Sequence, residues 1–505
     1  MTMQISPENL PDSTPLLKLT NRDVLTVGDA YEGIQIIGAT GSGKTSGSGA
    51  ATALQMLRLG FGGLVLTVKN DEPALWCDPV TGYLARTNRL KDLIVLEEGG
   101  DQYFDFLQYE SQRGSDTLEL SRLFTTVLEA AGRGSVGGSD GYWAAALNQL
   151  VTNAVDLVKF ATKEVSLFAL SQIVQLAPIS IEATREWEWE RFVDAARANA
   201  LTDQEKRDLD TTLDYFNLEF PRLGDRLRSS ITNLFTSMAN DLRRGTIGTL
   251  FSGRKVTLTP EDTHQGKIIV INLPTHRYGE TGRFAQMIFK YVWQRAAERR
   301  DKSQPMRPTF LWCDESQELV TGRDAGFQAT ARSSKVATVY LTQNIRNYHA
   351  RLGGGAKAEA DTDSLLGNLN TKILHANGDT ATNNWAEKTF GLEWVEKISV
   401  SRGGESKSTA TESRIMASLF TMLKKGKSRN RYLVGSFMFM AGERWKATDS
   451  NAIYVEFAQT PEAELHRNLS GVQDDSPSIT TSQVLLGVAV GVVILAGILW
   501  RIHTS

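Results

Sequence analysis

The sharpest chemistry in this chain lies in eight consecutive residues, Gly38-Ala39-Thr40-Gly41-Ser42-Gly43-Lys44-Thr45, which follow the apolar run Ile34 to Ile37 and match G-x-x-x-x-G-K-[ST]. Glycines at these spacings let successive backbone N–H groups turn inward around phosphate oxygens. The lysine reaches the β- and γ-phosphates, and the hydroxyl after it can ligate Mg2+. Gly38, Ala39, Thr40, Gly41, Ser42, Gly43, Lys44 and Thr45 are therefore expected to hold a nucleoside triphosphate, with Thr45 on the metal. A dinucleotide is excluded by spacing, because Ser46 stands where the third glycine of G-x-G-x-x-G would fall. A second signal lies downstream, where the apolar run Thr309 to Cys313 ends in Asp314-Glu315. Two carboxylates at such a strand end can share the work of hydrolysis: Asp314 holds the metal's water shell and Glu315 polarises the attacking water. A third apolar run, Ala337 to Thr342, ends in Gln343, whose amide is placed to sense the γ-phosphate. ATP with Mg2+ is the expected cofactor pair. No LSGGQ signature marks a transporter cassette, and the six histidines show no metal-ligand spacing.

These residues need strands to carry them. Short apolar runs at Ile34 to Ile37, Gly63 to Val68, Leu93 to Leu96, Lys267 to Leu273, Thr309 to Cys313, Ala337 to Thr342 and Thr371 to Ala376 read as buried parallel strands. Between some of them lie helix-period segments such as Phe284, Met287, Ile288, Tyr291, Val292 and Arg295, which put an apolar stripe on one face. Alternation of this kind predicts an α/β core, RecA-like in its use of a P-loop. Asp314 follows Lys44 by 270 residues, far more than two or three βα units require. From about Thr117 to Ser237 strand patterning is almost absent. Trp143, Leu147, Leu150, Val151, Ala154 and Val158 keep helical spacing there, and Gly132 to Gly141 reads as a glycine-rich loop. The expected organisation is a motor domain over 1–116 and 238–460, an all-α insertion over 117–237, a polar linker over 461–483 and a transmembrane tail anchor over 484–500.

The anchor rests on Val484 to Trp500, where every residue is apolar or glycine. The start of the chain stays polar through Ser13, so no signal peptide or leading span is expected. Composition bounds the rest. Of 505 residues 41% are hydrophobic and 22% charged, which excludes a disordered or fibrous chain. The formal charge of −3 means that any nucleic-acid contact needs a local basic patch. Cys77 and Cys313 supply neither a disulfide framework nor a four-cysteine zinc site.

Taken in order, several segments make the chain resemble the type IV coupling proteins, conjugative ATPases of the FtsK/HerA-like translocase group. They are GATGSGKT, LVLTVKNDE (Leu64 to Glu72), GYWAAALNQL (Gly141 to Leu150), RSSITNLF (Arg228 to Phe235), GKIIVINLP (Gly266 to Pro274), FLWCDE, VYLTQN (Val339 to Asn344) and LLGNLNTKILHANGDTATNNWAEKTFG (Leu365 to Gly391). The resemblance spans roughly Leu16 to Gln459. It implies a ring, hexameric in that family, which hydrolyses ATP between subunits and moves DNA, sometimes protein, through its centre. It also places Arg332 where the family carries an arginine finger that acts on the neighbouring subunit. Two departures stand out. The family shows an acidic residue and Lys-Gly-Glu after the second strand, whereas Thr67-Val68-Lys69-Asn70-Asp71-Glu72 keeps only Lys69 and Glu72 in register. The family is usually anchored by an amino-terminal membrane domain, whereas the apolar span here is carboxy-terminal.

The resulting expectation is a tail-anchored ATPase at the inner membrane with its motor in the cytoplasm. Its expected partners are DNA, further copies of itself, a secretion channel and a relaxase-like protein. The open alternatives are a motor for protein substrates and a nucleotide-gated membrane scaffold. For DNA contact the candidates are Arg222, Arg226, Arg228, Arg243 and Arg244, and the basic run Lys424 to Arg431. Trp187 and Trp189 have acidic neighbours and are expected to pack rather than stack on bases.

Overall fold

The computed structural model describes residues 6–114, 116–130, 140–180, 187–252, 256–401 and 404–460. A short antiparallel pair, β1 (Pro15–Lys18) and β2 (Val24–Thr26), opens the chain. Seven parallel strands follow: β3 (Ile34–Ile37), β4 (Gly62–Leu66), β5 (Leu93–Glu97), β6 (Ile268–Asn272), β7 (Thr309–Cys313), β8 (Val336–Thr342) and β9 (Thr371–His375). Each matches an expected apolar run to within two residues at either end. Then come a two-stranded ribbon of β10 (Leu392–Ser401) and β11 (Gly404–Ser413), and the strands β12 (Leu433–Met440) and β13 (Ala452–Ala458). The last two extend the parallel array antiparallel, giving a nine-stranded sheet in the order β13-β12-β9-β3-β8-β7-β4-β6-β5.

Both faces of this sheet are covered, which explains why its strands are continuously apolar rather than alternating. In β6, Ile268, Ile269, Val270 and Ile271 are all buried, and their β-branched side chains suit the pleated backbone. Successive residues feed opposite cores: Leu64 and Leu66 join one buried cluster and Val65 joins the other. The core of Val65 also takes Ala53, Met56 and Leu57 from α1 (Ala50–Arg58), the helix after the P-loop.

Between β5 and β6 the chain is helical. After a short helix over Phe106–Gln112, it comprises α2 (Thr117–Ala130), α3 (Asp140–Thr162), α4 (Leu167–Leu176), α5 (Trp187–Asn199), α6 (Asp203–Asp214), α7 (Asp225–Arg243) and α8 (Gly245–Phe251). The stripe of Trp143, Leu147, Leu150, Val151, Ala154 and Val158 is buried along α3. One expectation is corrected: the boundary at 237 falls inside α7, and the helices continue to Phe251. Among the described residues, the helical stretch also has no separate core. Its buried residues are continuous with those of the sheet face bearing Leu64 and Leu66, through α9 (Thr275–Glu298), which is broken at Gly279 (φ 58°, ψ −144°).

The stripe expected on α9 is present but incomplete as a description. Phe284, Met287, Ile288, Tyr291 and Val292 are buried, and so are Arg283, Gln286, Lys290 and Gln294 on another face. The helix lies between the sheet and the helical layer, so its polar face meets backbone rather than water. The linker 461–483, the apolar run 484–500 and most of the glycine-rich stretch 132–141 lie outside the described residues. Among the described residues, no helix is long and apolar enough to cross a membrane.

Candidate active site

Strand order brings the three motifs together. The strand ending in Gln343, β8, lies between the P-loop strand β3 and the Asp-Glu strand β7. All three run parallel, so their carboxyl ends, which carry Gly38, Gln343 and Asp314, meet at one edge of the sheet.

The P-loop leaves β3 with Gly38 N–H donating to Thr342 and Ala39 N–H donating to Ala376. Gly41 (φ 71°) and Gly43 (φ 91°) take left-handed backbone conformations that a side chain would strain. A Cβ on Gly43 would also come within 2.4 Å of the Val434 side chain, which supports the loop from β12. Ser42 is fully buried, and its hydroxyl oxygen has no hydrogen-bond partner. An orphaned polar atom inside a glycine-rich turn fits a site made for phosphate oxygens.

The Thr45 hydroxyl donates to Asp314 Oδ2 at 2.7 Å, which joins the two expected metal ligands directly. Lys44 Nζ stands 3.4 Å from Glu315 Oε1 and 3.8 Å from Asp314 Oδ1. Gln343 Nε2 donates to Glu315 Oε1 at 3.0 Å, and the Gln343 carbonyl oxygen of the side chain accepts from Thr40 at 3.3 Å. Burial by itself would raise the Glu315 pKa. The charge of Lys44 and hydrogen bonds from Lys69, Gln317 and Gln343 outweigh it and hold the carboxyl at about 2. Glu315 is thus ionised at neutral pH, as activation of a water requires.

Three contributors carried no assigned role in the sequence. Gln317 Nε2 donates to Glu315 Oε2 at 3.0 Å and is itself held by Thr342. Its position two residues beyond Glu315 is the only sequence signal for it. Lys69 Nζ approaches Glu315 Oε1 to 2.7 Å, and Glu72 stands beside it. Behind the P-loop, the buried His375 meets the Ser48 hydroxyl at 2.7 Å through Nε2, while Nδ1 lies 3.0 Å from the Gly435 carbonyl. That pair ties α1's approach to β9 and β12 and has no exposed face.

Arg332 is the expected site residue that this arrangement does not include. It precedes β8 and pairs with Glu32, which precedes β3, at 2.7 Å. Both lie at the amino ends of their strands, the opposite edge of the sheet from the P-loop. The Arg332 side chain is 65% exposed and points away from this site.

The candidate polymer contacts are mixed. Arg228 is engaged locally with Asp225 and the Pro221 and Leu223 carbonyls, and Arg243 lies over Phe168 at 4.8 Å. The basic run Lys424 to Arg431 precedes β12 at the site edge of the sheet, with Lys424 paired to Glu456. Trp189 is buried against Phe216, as expected, but Trp187 is exposed with Arg191 over its ring. Residues two apart on a helix face different ways, so packing one exposes the other. Beside Ser46, a groove of about 470 Å³ runs along α1, lined among others by Ala50, Leu54, Tyr83, Phe457 and Gln459.

The sheet order and the converging motifs define a P-loop nucleotide-binding core with a helical layer inserted between two of its strands. No family model matches the chain, and no curated protein matches its sequence. Solved structures do match it: the fold is that of the bacterial conjugative coupling protein TrwB. The unbound form of TrwBdeltaN70 superposes with a TM-score of 0.58 at 14% identity, covering 89% of this chain and 90% of that one. The form in complex with sulphate gives 0.58 at 15% identity, covering 90% and 92%. The complex of TrwB with a non-hydrolysable ATP analogue gives 0.55 at 15%, again covering 90% and 92%.

Proposed function

We propose that this protein is a Mg2+-dependent ATPase of the coupling-protein kind, which uses hydrolysis to move DNA at a membrane. The observation that carries the reading is the convergence of Lys44, Thr45, Asp314, Glu315 and Gln343 at one edge of a coupling-protein fold. TrwB has been solved with an ATP analogue and with ADP and Mg2+, which fits the same ligand pair for this site. Lys44 and the P-loop amides bind the β- and γ-phosphates, while the groove beside Ser46 has room for the nucleoside. Thr45 and Asp314 would hold Mg2+, which when bound draws charge from the phosphoryl group under attack. Glu315 orients and deprotonates the water, and Gln343 links that carboxylate to the P-loop through Thr40. The RecA-like ring, with Arg332 completing a neighbour's site, and the carboxy-terminal tether at the inner membrane are parts of the same proposal.

The test is the ATPase rate with single-stranded DNA, duplex DNA or no polymer, at several salt concentrations, with Lys44→Ala as the inactive control. DNA should stimulate the parent, and the stimulation should weaken as salt rises, because phosphate contacts release counterions. Stimulation by protein substrates alone would replace DNA as cargo; the formal charge of −3 gives no support to DNA over protein. ATP binding without turnover would leave a nucleotide-gated scaffold. Truncation before Val484 should move the protein from the membrane to the soluble fraction, and an unchanged distribution would remove the tether.

A further inference from the structure

Glu315 Oε1 receives three donors: Lys69 Nζ at 2.7 Å, Gln343 Nε2 at 3.0 Å and Lys44 Nζ at 3.4 Å. This crowding cannot persist through catalysis. Lys44 belongs to a P-loop and is drawn to the β- and γ-phosphates when a triphosphate binds, and the Gln343 amide faces the same space. Among the described residues, Lys69 is then the one cation still within ion-pair distance of Glu315.

Lys69 is also presented by a fixed loop. Just after β4, Thr67 N–H donates to Gln286 Oε1 and the Thr67 carbonyl accepts from Gln286 Nε2, both at 2.8 Å. Val68 N–H donates to Glu72 Oε2 at 2.6 Å, which closes the turn, and Glu72 Oε1 lies 3.8 Å from Lys69 Nζ. The Lys69 side chain is only 32% exposed and reaches Asp314 Oδ2 at 3.7 Å as well. Two lysines thus face Asp314 and Glu315, and of the two only Lys44 belongs to the P-loop.

We propose that Lys69 is a positioning residue, which holds the Glu315 carboxylate on the attacking water after Lys44 has turned to the nucleotide. The inference rests on the ATPase reading above. With Lys44 withdrawn, Oε1 keeps Lys69 and Gln343 and gains a lone pair for the water, while Oε2 stays with Gln317. Lys69 makes no contact with nucleotide in this scheme, so its loss acts on the chemical step and not on binding.

The experiment compares full-length parent, Lys69→Met and Lys69→Arg in steady-state hydrolysis, and in retention of ADP alone and of ADP with aluminium fluoride. In Lys69→Met, kcat should fall about tenfold to a hundredfold, the usual effect of loosening a group that orients a catalytic one. KM for ATP and retention of ADP should stay within about twofold, retention of the fluoride complex should drop, and Lys69→Arg should recover most of the rate. A Lys69→Met protein with the parent's kcat overturns the proposal, and so does one that hydrolyses faster, which would make Lys69 a brake. A KM that rises with kcat unchanged overturns it in favour of a direct phosphate contact. If Lys69→Met melts below the assay temperature, Lys69→Gln, which keeps polar reach without charge, carries the same comparison. A parent that neither turns over ATP nor retains the fluoride complex removes the ATPase reading and Lys69's role together. A parent that does both while Lys69→Met matches it removes only Lys69.

Discussion

Glu315 reaches its position through a backbone conformation that most residues avoid: φ 51° and ψ 45° lie in the left-handed region, at a cost of about 1–2 kcal/mol for a residue with a Cβ. The turn is stabilised in place, because Glu315 N–H donates to Asp314 Oδ1 at 2.9 Å. Extended backbone would send consecutive side chains to opposite faces of the sheet; the turn lets Asp314 face Thr45 while Glu315 faces Lys44 and Gln343. The five central residues were legible in the sequence because Asp314, Glu315 and Gln343 close apolar runs and Lys44 and Thr45 stand at a motif's spacing after one. The roles of Lys69 and His375 were not, since their partners are fixed by strand order, and Gln317 had only its place two residues beyond Glu315. His375 carries a prediction of its own. Burial, with the nearby Lys44 charge adding to it, lowers its pKa from 6.5 to about 4, against the opposing effect of the Gly435 carbonyl. The folded state therefore keeps His375 neutral where the unfolded chain would protonate it, so its contribution is full above about pH 6.5 and is lost as pH falls toward 4. His375→Gln should cost about 1–3 kcal/mol at pH 7 through the disturbed Ser48 and Gly435 bonds. The gap between parent and variant in urea unfolding should narrow between pH 6.5 and 4, and a gap independent of pH would contradict the neutral assignment.

At the scale of elements, α9 (Thr275–Glu298) does the positioning. Arg283 donates to the Glu318 carbonyl, Gln286 to the Thr67 and Leu273 carbonyls, and Lys290 to the Leu319 carbonyl at 2.6 Å. Those carbonyls lie in the loops after β7, β4 and β6, so one helix holds three loops of the site edge while its other face meets the helical layer. Lys290 also pairs with Asp324 at 2.6 Å, with both groups almost wholly buried, and Asp324 accepts further bonds from Gln294, Tyr340 and Thr321. Lys290→Met leaves that carboxylate without its counter-charge and should destabilise the protein by about 3–5 kcal/mol. Lys290→Met with Asp324→Leu should cost less than the sum of the single changes, as a double-mutant cycle in guanidinium would read. Additive losses would deny the coupling. The seven parallel strands were legible because burial on both faces makes them continuously apolar. The burial of α9's polar face was not, since a stripe of Arg, Gln and Lys reads as solvated until a second layer covers it. β12 and β13 escaped notice for a related reason. In β12, Gly435 and Ser436 split Leu433-Val434 from the short run Phe437 to Met440, and in the ribbon β11 has too few apolar residues to announce a partner for β10, whose Trp394 is 78% exposed.

For the whole molecule, the sheet has two working edges. The carboxyl ends of its parallel strands hold the P-loop and Asp314-Glu315, and the amino ends of β3 and β8 carry Glu32 and Arg332. A ring that lays one edge against the other brings Arg332 of one copy toward the nucleotide of the next. Its pair with Glu32 is largely in water, and such pairs contribute only about 0–1 kcal/mol, so Arg332 is free to change partners. A trans-acting arginine typically adds three to five decades in rate. Arg332→Ala and Lys44→Ala, each inactive alone, should recover hydrolysis when co-assembled, because one class of interface then holds an intact P-loop and an intact arginine. An Arg332→Ala ring that hydrolyses ATP at the parent rate would end the assignment. The seating of Val434 against Gly43 has a consequence for biosynthesis. The P-loop emerges from the ribosome first, and the residue that backs it follows 391 positions later, which at 5–20 residues per second is a delay of roughly 20–80 s. During that interval the nascent chain carries the whole GATGSGKT sequence without the side chain that backs it, so the finished cradle waits until synthesis has passed Val434, and a chain terminated before that residue would lack this support.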